Sequence, residues 1–330
     1  MLKVLSIDGG GMKGIVSVMV LQRLEYYIKL YSKNEKAVLS DYFDLIGGTS
    51  TGAIITALLL TTNKETKTSY ETGEILELYL QRGKEIFHRP LAYRLRTMFG
   101  LFGPKYTNKD FEKLLNQYLE NTVLEDLRKD GVFTAYDTAN REAIFYSTLS
   151  KKSWERQVLP VKEVVLSSTA APTYFPPVHI TSSKNKDNCH IDGGIVVNNP
   201  ALSTLIEGFK HPKYKGLNDI ILVSVGNVTN TDFYSYKRVK RWGIFGWALP
   251  IVSIVFDSDT STVDYETKKL FEAFGCRQNY LRLELRTDGK VPPMDDISKE
   301  AIETLLLYGN QLIKRNDTAI KRFAKRLVEE

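Results

Sequence analysis

Histidine and cysteine are scarce in this chain of 330 residues, which has only His88, His179, His190 and His211, with Cys189 and Cys276. Two cysteines cannot build a disulfide framework; they suit a reducing compartment and leave room for one disulfide at most. Long apolar runs are also missing. The stretch Ala248 to Phe256 contains a Pro and falls well short of the ~20 residues that span a bilayer. Met1 stands almost on top of the first predicted strand, so no N-terminal secretion signal is expected, and the expected location is the cytoplasm. Charge of one sign is weak: 45 Lys and Arg stand against 39 Asp and Glu, a formal charge of +6. That excess permits attraction to anionic lipid, but it is too small and dispersed to argue for a nucleic-acid polymer, and no DNA or RNA recognition motif is present. No linker rich in Pro, Gly and Ser divides the chain, and there is no internal repeat, so one domain over residues 1–330 is expected. No clustered carboxylate pattern suits calcium, and neither a metal nor a cofactor is expected.

What is present is a chain 43% hydrophobic and 25% charged, long enough for a sizeable core. Val4 to Ile7, Phe43 to Gly48 and Ile220 to Gly226 read as short buried strands. After the first, Val16, Met19, Val20, Leu24, Tyr27 and Ile28 recur at helical spacing. Residues 43–60 repeat the form of strand, glycine turn and apolar helix. Further helical patterns cover Glu74 to Ile86 and Asn108 to Glu120, two strands meet near Ala139 to Arg141, and a helix begins after Pro160 and is stopped by Pro172. Strands alternating with helices predict an α/β chain with a mostly parallel sheet covered on both faces. Residues 233–330 are expected to form a mostly helical C-terminal portion.

Two glycine turns carry the candidate chemistry. "GTSTG", Gly48 to Gly52, sets Ser50 on a strand-to-helix turn, where small neighbours let the backbone bend and the hydroxyl project. The plain alternative is a tight turn that happens to contain a serine. A serine hydroxyl is a weak nucleophile without a base. His190 is the histidine competitor for that role, being two residues from Asp192; the other three sit in settings that suit turns or structural positions. Asp192, in "IDGG", can either cap its own turn or take the Ser50 proton directly, in which case no histidine is needed. "DGGGMKG", residues 8–14, lets the N–H groups of Gly9, Gly10 and Gly11 converge at a helix N-terminus, as an oxyanion requires. A phosphate would suit the same loop, but neither the dinucleotide nor the P-loop spacing is present. Lys13 adds a local positive charge and is a possible anion contact.

"DGGGMKG", "GTSTG", "SSTAAPTYFPP" (167–177) and "DGGIVVNNPA" (192–201) stand in the order and spacing of the patatin-like phospholipases. Nearly the whole chain resembles that family, in particular its bacterial lipid acyl hydrolases. The stretch from Lys240 to Tyr265 is similar to the one that follows the catalytic motifs in plant patatins. The resemblance implies a three-layer α/β/α fold, Ser50 as nucleophile, Asp192 as its base in a dyad, and Gly9 to Gly11 as the oxyanion loop. Lys13 stands where the family often has Arg, which keeps the charge and loses the guanidinium fork. The implied activity is hydrolysis of acyl esters of phospholipids, lysophospholipids or galactolipids. The same dyad would also serve an acyltransferase. Some bacterial relatives act in antiphage defence under a cyclic nucleotide activator, and a non-enzymatic lipid sensor would keep the fold without needing Ser50 and Asp192 together.

The substrate, a phospholipid or lysophospholipid, has to leave a membrane surface to reach Ser50. Residues 233–247 mix Phe233, Tyr234, Tyr236, Trp242, Phe245 and Trp247 with Lys237, Arg238, Lys240 and Arg241. Such a mixture suits transient, peripheral contact with a membrane. It equally suits a helix packed on the sheet with its aromatic residues buried. The basic and aromatic segment at 88–106 is either core packing of a long connection or part of the rim of a lipid site.

Overall fold

The computed structural model describes residues 1–87, 93, 103–149, 158–180, 187–231, 234–248 and 250–330. Its central sheet follows the alternation of the strands. In β1 (Leu2–Ile7), Leu2 and Val4 join the core on one face of the sheet, and Leu5 and Ile7 join the core on the other. The same division separates Ile220 and Leu222 from Ile221, Val223 and Val225 in β6 (Ile220–Asn230). Each strand therefore feeds two apolar cores, as a sheet covered on both faces requires.

The strand order is β4-β3-β2-β1-β6-β7, formed by β2 (Leu45–Gly48), β3 (Asp130–Asp137), β4 (Glu142–Ser147) and β7 (Tyr280–Thr287) with β1 and β6. Every neighbouring pair is parallel except β3 and β4. One face packs α1 (Gly14–Ser32), α2 (Thr51–Leu60), α3 (Thr72–Ile86), α4 (Lys109–Leu119), α5 (Val161–Thr169) and α10 (Lys299–Glu329). The other packs α6 (Ala201–Gly208) and α9 (Pro250–Ala273). This is a three-layer α/β/α fold. All ten residues of α2 are buried, so it runs through the interior and needs no polar face.

Most expected elements are present with shifted ends. The strand expected from Phe43 starts at Leu45, while that expected to stop at Gly226 continues to Asn230. Residues 234–330 carry α7 (Tyr236–Val239), α8 (Ile244–Ala248), α9 and α10, but they also supply β7, which pairs in parallel with β6. The expected helical portion is thus built into the central sheet. The segment 88–106 lies largely outside the described residues, and so does His88.

Candidate active site

The position of Ser50 follows from how two strands share one edge of β3. Strand β2 pairs with Asp130 to Phe133 and ends at Gly48. The short β5 (His190–Asp192) then takes up the same β3 edge antiparallel, with Asp192 opposite Ala135. The chain leaving β2 therefore turns beside the end of β5. Ser50 sits on that turn at φ 53 and ψ −121, a conformation that non-glycine residues rarely adopt and that tends to occur at functional sites. A Cβ at Gly52 would come within 2.1 Å of the Ile7 carbonyl oxygen, so the glycine lets α2 start directly against the end of β1. The Ser50 N–H donates to Ser168 Oγ at 3.0 Å, and the Asp192 N–H donates to the Ala170 carbonyl at 3.0 Å. The end of α5 thereby holds both residues.

Ser50 Oγ donates to Asp192 Oδ2 at 2.7 Å, and the Gly194 N–H donates to Asp192 Oδ1 at 2.7 Å. One carboxylate oxygen of Asp192 thus caps the turn, and the other accepts from the serine. Asp192 is fully buried. Burial pushes its carboxyl up to about 7, against the pull of the Gly194 N–H and the Ser50 hydroxyl. His190, by contrast, has its Nδ1 2.5 Å from the Tyr146 hydroxyl and its Nε2 3.7 Å from Asp137 Oδ2. Burial lowers its pKa against the pull of Asp137. His211 lies by Asp130, and His179 is exposed. Among the described residues, no histidine bonds to Ser50 or Asp192.

The glycine loop behaves unevenly. The Gly9 N–H already donates to the Asn198 carbonyl at 3.0 Å, and Asn227 Nδ2 donates to the Gly9 carbonyl at 2.8 Å. Gly9 is thus not a free donor. Its missing side chain admits first the Asn198 side chain, whose Oδ1 would clash with a Gly9 Cβ, and then Ser50, whose Cβ would lie 3.2 Å from it. Among the described residues nothing accepts from the N–H of Gly10 or Gly11, which leaves two donors for an oxyanion. Gly11 has φ +59, and a Cβ there would meet the Met294 carbonyl oxygen at 2.2 Å; that oxygen accepts from the Met12 N–H at 2.7 Å. Asn198, Asn227 and Met294 together clamp the loop.

Beneath the loop, Asp8 is held by Arg282 through two bonds, Nη1 to Oδ1 at 2.8 Å and Nη2 to Oδ2 at 2.5 Å. Arg282 also donates to Ser224 Oγ at 2.8 Å and to Glu284. The sequence reading missed this network because it missed β7. The signal was there: Leu281, Leu283 and Leu285 alternate with Arg282, Glu284 and Arg286, the period of a strand.

Two cavities flank the loop. An apolar slot of about 30 Å³ is lined by Ser50 and Gly11 together with Ile54, Tyr79, Phe87, Phe111 and Phe175. It is room for little more than a water, so an acyl chain would have to push these side chains apart. The second is a polar cleft of about 670 Å³ lined by Gly9, Gly10 and Lys13. The Lys13 side chain makes no hydrogen bond or ion pair to any described residue; burial lowers its pKa, with Asp257 and Glu284 opposing. Among the described residues no cluster of His, Cys, Asp and Glu could hold a metal ion, and both cysteines are free.

The stretch after β6 is open to solvent. Tyr236 is 79% and Ile244 86% exposed, Tyr234 and Trp247 are also exposed, and Lys237, Arg238, Lys240 and Arg241 lie among them. Trp242 makes edge contacts with Tyr234 and Trp247, and Arg238 lies over it at 5.8 Å. This outcome goes against burial of the aromatic residues on the sheet. Phe233 and the Phe245 side chain are outside the described residues. No helix among the described residues is long and apolar enough to cross a membrane.

A serine on a strained strand-to-helix turn, hydrogen-bonded to a buried carboxylate at the end of the central strands, defines the class as an α/β/α fold with a serine–carboxylate pair. The sequence profile described as Patatin-like phospholipase matches residues 5–205. Patatin-2-Kuras 3 of Solanum tuberosum is 33% identical over 99% of this chain and 90% of its own length. Patatin group J-1 of the same plant is 32% identical over the same shares. The chain belongs to the patatin-like phospholipase family, and membership supports phospholipase-type hydrolase activity at that level. The similar proteins are plant patatins, so the family is shown and not its bacterial branch in particular. Among solved structures, VipD from Legionella pneumophila matches at TM-score 0.38 and 14% identity, covering 95% of this chain and 67% of its own. The type III effector protein ExoU matches at TM-score 0.38 and 12% identity, covering 99% and 53%. At those values neither adds to the assignment.

Proposed function

We propose that this protein is a serine acyl hydrolase that cleaves fatty-acyl esters of phospholipids or lysophospholipids through an acyl-enzyme on Ser50. The observation that carries the reading is the 2.7 Å hydrogen bond to Asp192 Oδ2 from Ser50 Oγ, whose residue lines an apolar slot. Ser50 Oγ attacks the ester carbonyl as Asp192 takes its proton. The N–H groups of Gly10 and Gly11 stabilise the negative charge that develops on the carbonyl oxygen. Collapse of the tetrahedral intermediate breaks the ester bond, and the leaving alkoxide receives the proton from Asp192. Water then attacks the acyl-enzyme, again giving its proton to Asp192, and the fatty acid leaves as Ser50 regains a proton. A carboxyl group with a pKa near 7 can do both jobs, because it takes up and releases a proton near neutral pH.

The exposed aromatic and basic residues from Tyr234 to Trp247 support transient docking to a lipid surface. Apolar side chains would enter the interface while the lysines and arginines meet anionic headgroups.

The test is product identification by mass spectrometry after incubation with phospholipid vesicles and lysophospholipid micelles, with and without calcium and cyclic nucleotides. Free fatty acid released without calcium is the expected result. Ser50→Ala and Asp192→Ala should each lose most of it, and His190→Ala should keep substantial activity. Acyl transfer to an added alcohol at the expense of release would replace hydrolase by acyltransferase. Release only after a nucleotide is added would make this a nucleotide-switched effector. No acyl product from any lipid or simple ester would leave a lipid-binding protein.

A further inference from the structure

The polar cleft beside the oxyanion loop has a charge arrangement that the reaction at Ser50 does not use. Tyr174 and Met294 line both the cleft and the apolar slot, so the two cavities share a wall, with Gly9 and Gly10 on the cleft side and Gly11 on the slot side. An ester whose carbonyl rests on the N–H groups of Gly10 and Gly11, with its acyl chain in the slot, directs the rest of the molecule to the cleft. At about 670 Å³ the cleft is within the size range of ligand sites.

Three of the charges that line it are spent on one another: Arg282 is bonded to Asp8 and to Glu284. Lys13 and Asp257 are different. Both line the cleft, and neither side chain makes a hydrogen bond or an ion pair to any described residue, while a further cation of the lining, Arg238, lies over the Tyr234 and Trp242 rings. They act on each other's titration, Asp257 opposing the fall at Lys13 and Lys13 opposing the rise at Asp257, yet they stay more than 4 Å apart. Opposite charges that share a cleft without pairing leave room for a group carrying the complement of each. Aromatic side chains also line the cleft, namely Phe256, Tyr174 and Tyr234. Aromatic faces favour a quaternary or primary ammonium.

We infer that this cleft receives the polar head of the ester substrate and selects a zwitterionic one, with its phosphate facing Lys13 and its ammonium facing Asp257. The inference rests on the acyl hydrolase reading and narrows it to phosphocholine and phosphoethanolamine esters. Lys13 and Asp257 are then specificity residues, and Asp257 acts on the head alone.

The experiment measures kcat/KM on monoacyl esters of one chain length in neutral detergent micelles. The substrates are lysophosphatidylcholine, lysophosphatidylethanolamine, lysophosphatidylglycerol, monoacylglycerol and a monoacyl galactosylglycerol, with a p-nitrophenyl ester as a headless control. The two zwitterionic esters should exceed lysophosphatidylglycerol and monoacylglycerol by up to about fivefold, as expected for a partly exposed charge contact. Asp257→Asn should bring lysophosphatidylcholine down to the level of lysophosphatidylglycerol, and Asp257→Lys should reverse their order. Lys13→Gln should lower the three phosphate-bearing esters relative to monoacylglycerol. Equal kcat/KM across the heads, an unchanged order in Asp257→Lys, or a preference for the galactosyl head would overturn the inference. Turnover of the p-nitrophenyl ester without that of any lipid would do the same and leave the hydrolase reading standing. Failure on every substrate would overturn both.

Discussion

At Asp192 one carboxylate serves a turn and a proton transfer, and its burial makes both sensitive to pH. Its folded-state pKa of about 7 lies above the ordinary carboxylate value of 3.8, so the folded chain holds the proton more tightly than the unfolded one. The contribution of Asp192 to stability is therefore greatest below about pH 4, falls as pH rises to about 7 and is flat beyond. Asp192→Asn is expected to melt above wild type at pH 8, an advantage that shrinks towards pH 4 in calorimetric scans. Activity runs the other way. The base works only when ionised, so kcat/KM on a soluble ester should rise with pH through about 7. A limb set by His190 would instead vanish in His190→Ala, and the proposed mechanism predicts that it persists. At this scale the sequence was informative: "GTSTG" and "IDGG" both mark turns through local composition. Their meeting was not, because Ser50 and Asp192 are 142 positions apart and are joined by the shared β3 edge and the end of α5.

Among the elements, β7 ties the C-terminal part of the chain to the chemistry. Through Arg282 it grips Asp8 at the start of the glycine loop, with both side chains almost wholly buried. Arg282→Met removes one partner of a buried pair and leaves the Asp8 carboxylate uncompensated. Destabilisation of about 3–5 kcal/mol is expected, measurable by urea unfolding. Arg282→Met with Asp8→Asn should recover part of that loss. Gly11→Ala tests the loop from above. Its φ of +59 and the approach of the Met294 carbonyl leave no place for a Cβ, so the donor must shift. Loss of one such donor costs on the order of 3 kcal/mol of transition-state stabilisation, seen as reduced kcat in a variant whose fold is checked by circular dichroism. The glycines of this loop were legible as a donor array, but the commitment of the Gly9 N–H to Asn198 depends on a contact that no local pattern encodes. The alternation in β7 was present in the sequence, hidden between the helical patterns of α9 and α10.

For the whole molecule, the cleft, the loop, the slot and the exposed patch are linked in one direction. Tyr234 and Arg238 belong to both the patch and the wall of the cleft, so a lipid surface docked on the patch would meet the cleft mouth. Ile244→Ser is expected to weaken sedimentation with vesicles about tenfold, from the ~1.5–3 kcal/mol that a fully buried aliphatic side chain contributes. Hydrolysis of a soluble short-chain ester should stay unchanged, and equal losses on both substrates would count against a docking role. The overall architecture was readable because strands alternating with apolar helices recur from Val4 to Val225, and each face of the sheet has its own core. Which residues of the 234–247 stretch face solvent was not readable, because aromatic and basic residues mix there without a period.

The central claim is that Ser50 becomes acylated with Asp192 as its base. Its most direct measurement is intact-protein and peptide mass spectrometry of enzyme quenched with acid during turnover of a slowly hydrolysed ester. The account predicts one acyl group on Ser50, absent in Ser50→Ala, formed far more slowly in Asp192→Asn and formed readily in His190→Ala. Fatty acid release with no adduct on Ser50, or an adduct whose formation depends on His190 and not on Asp192, would contradict it.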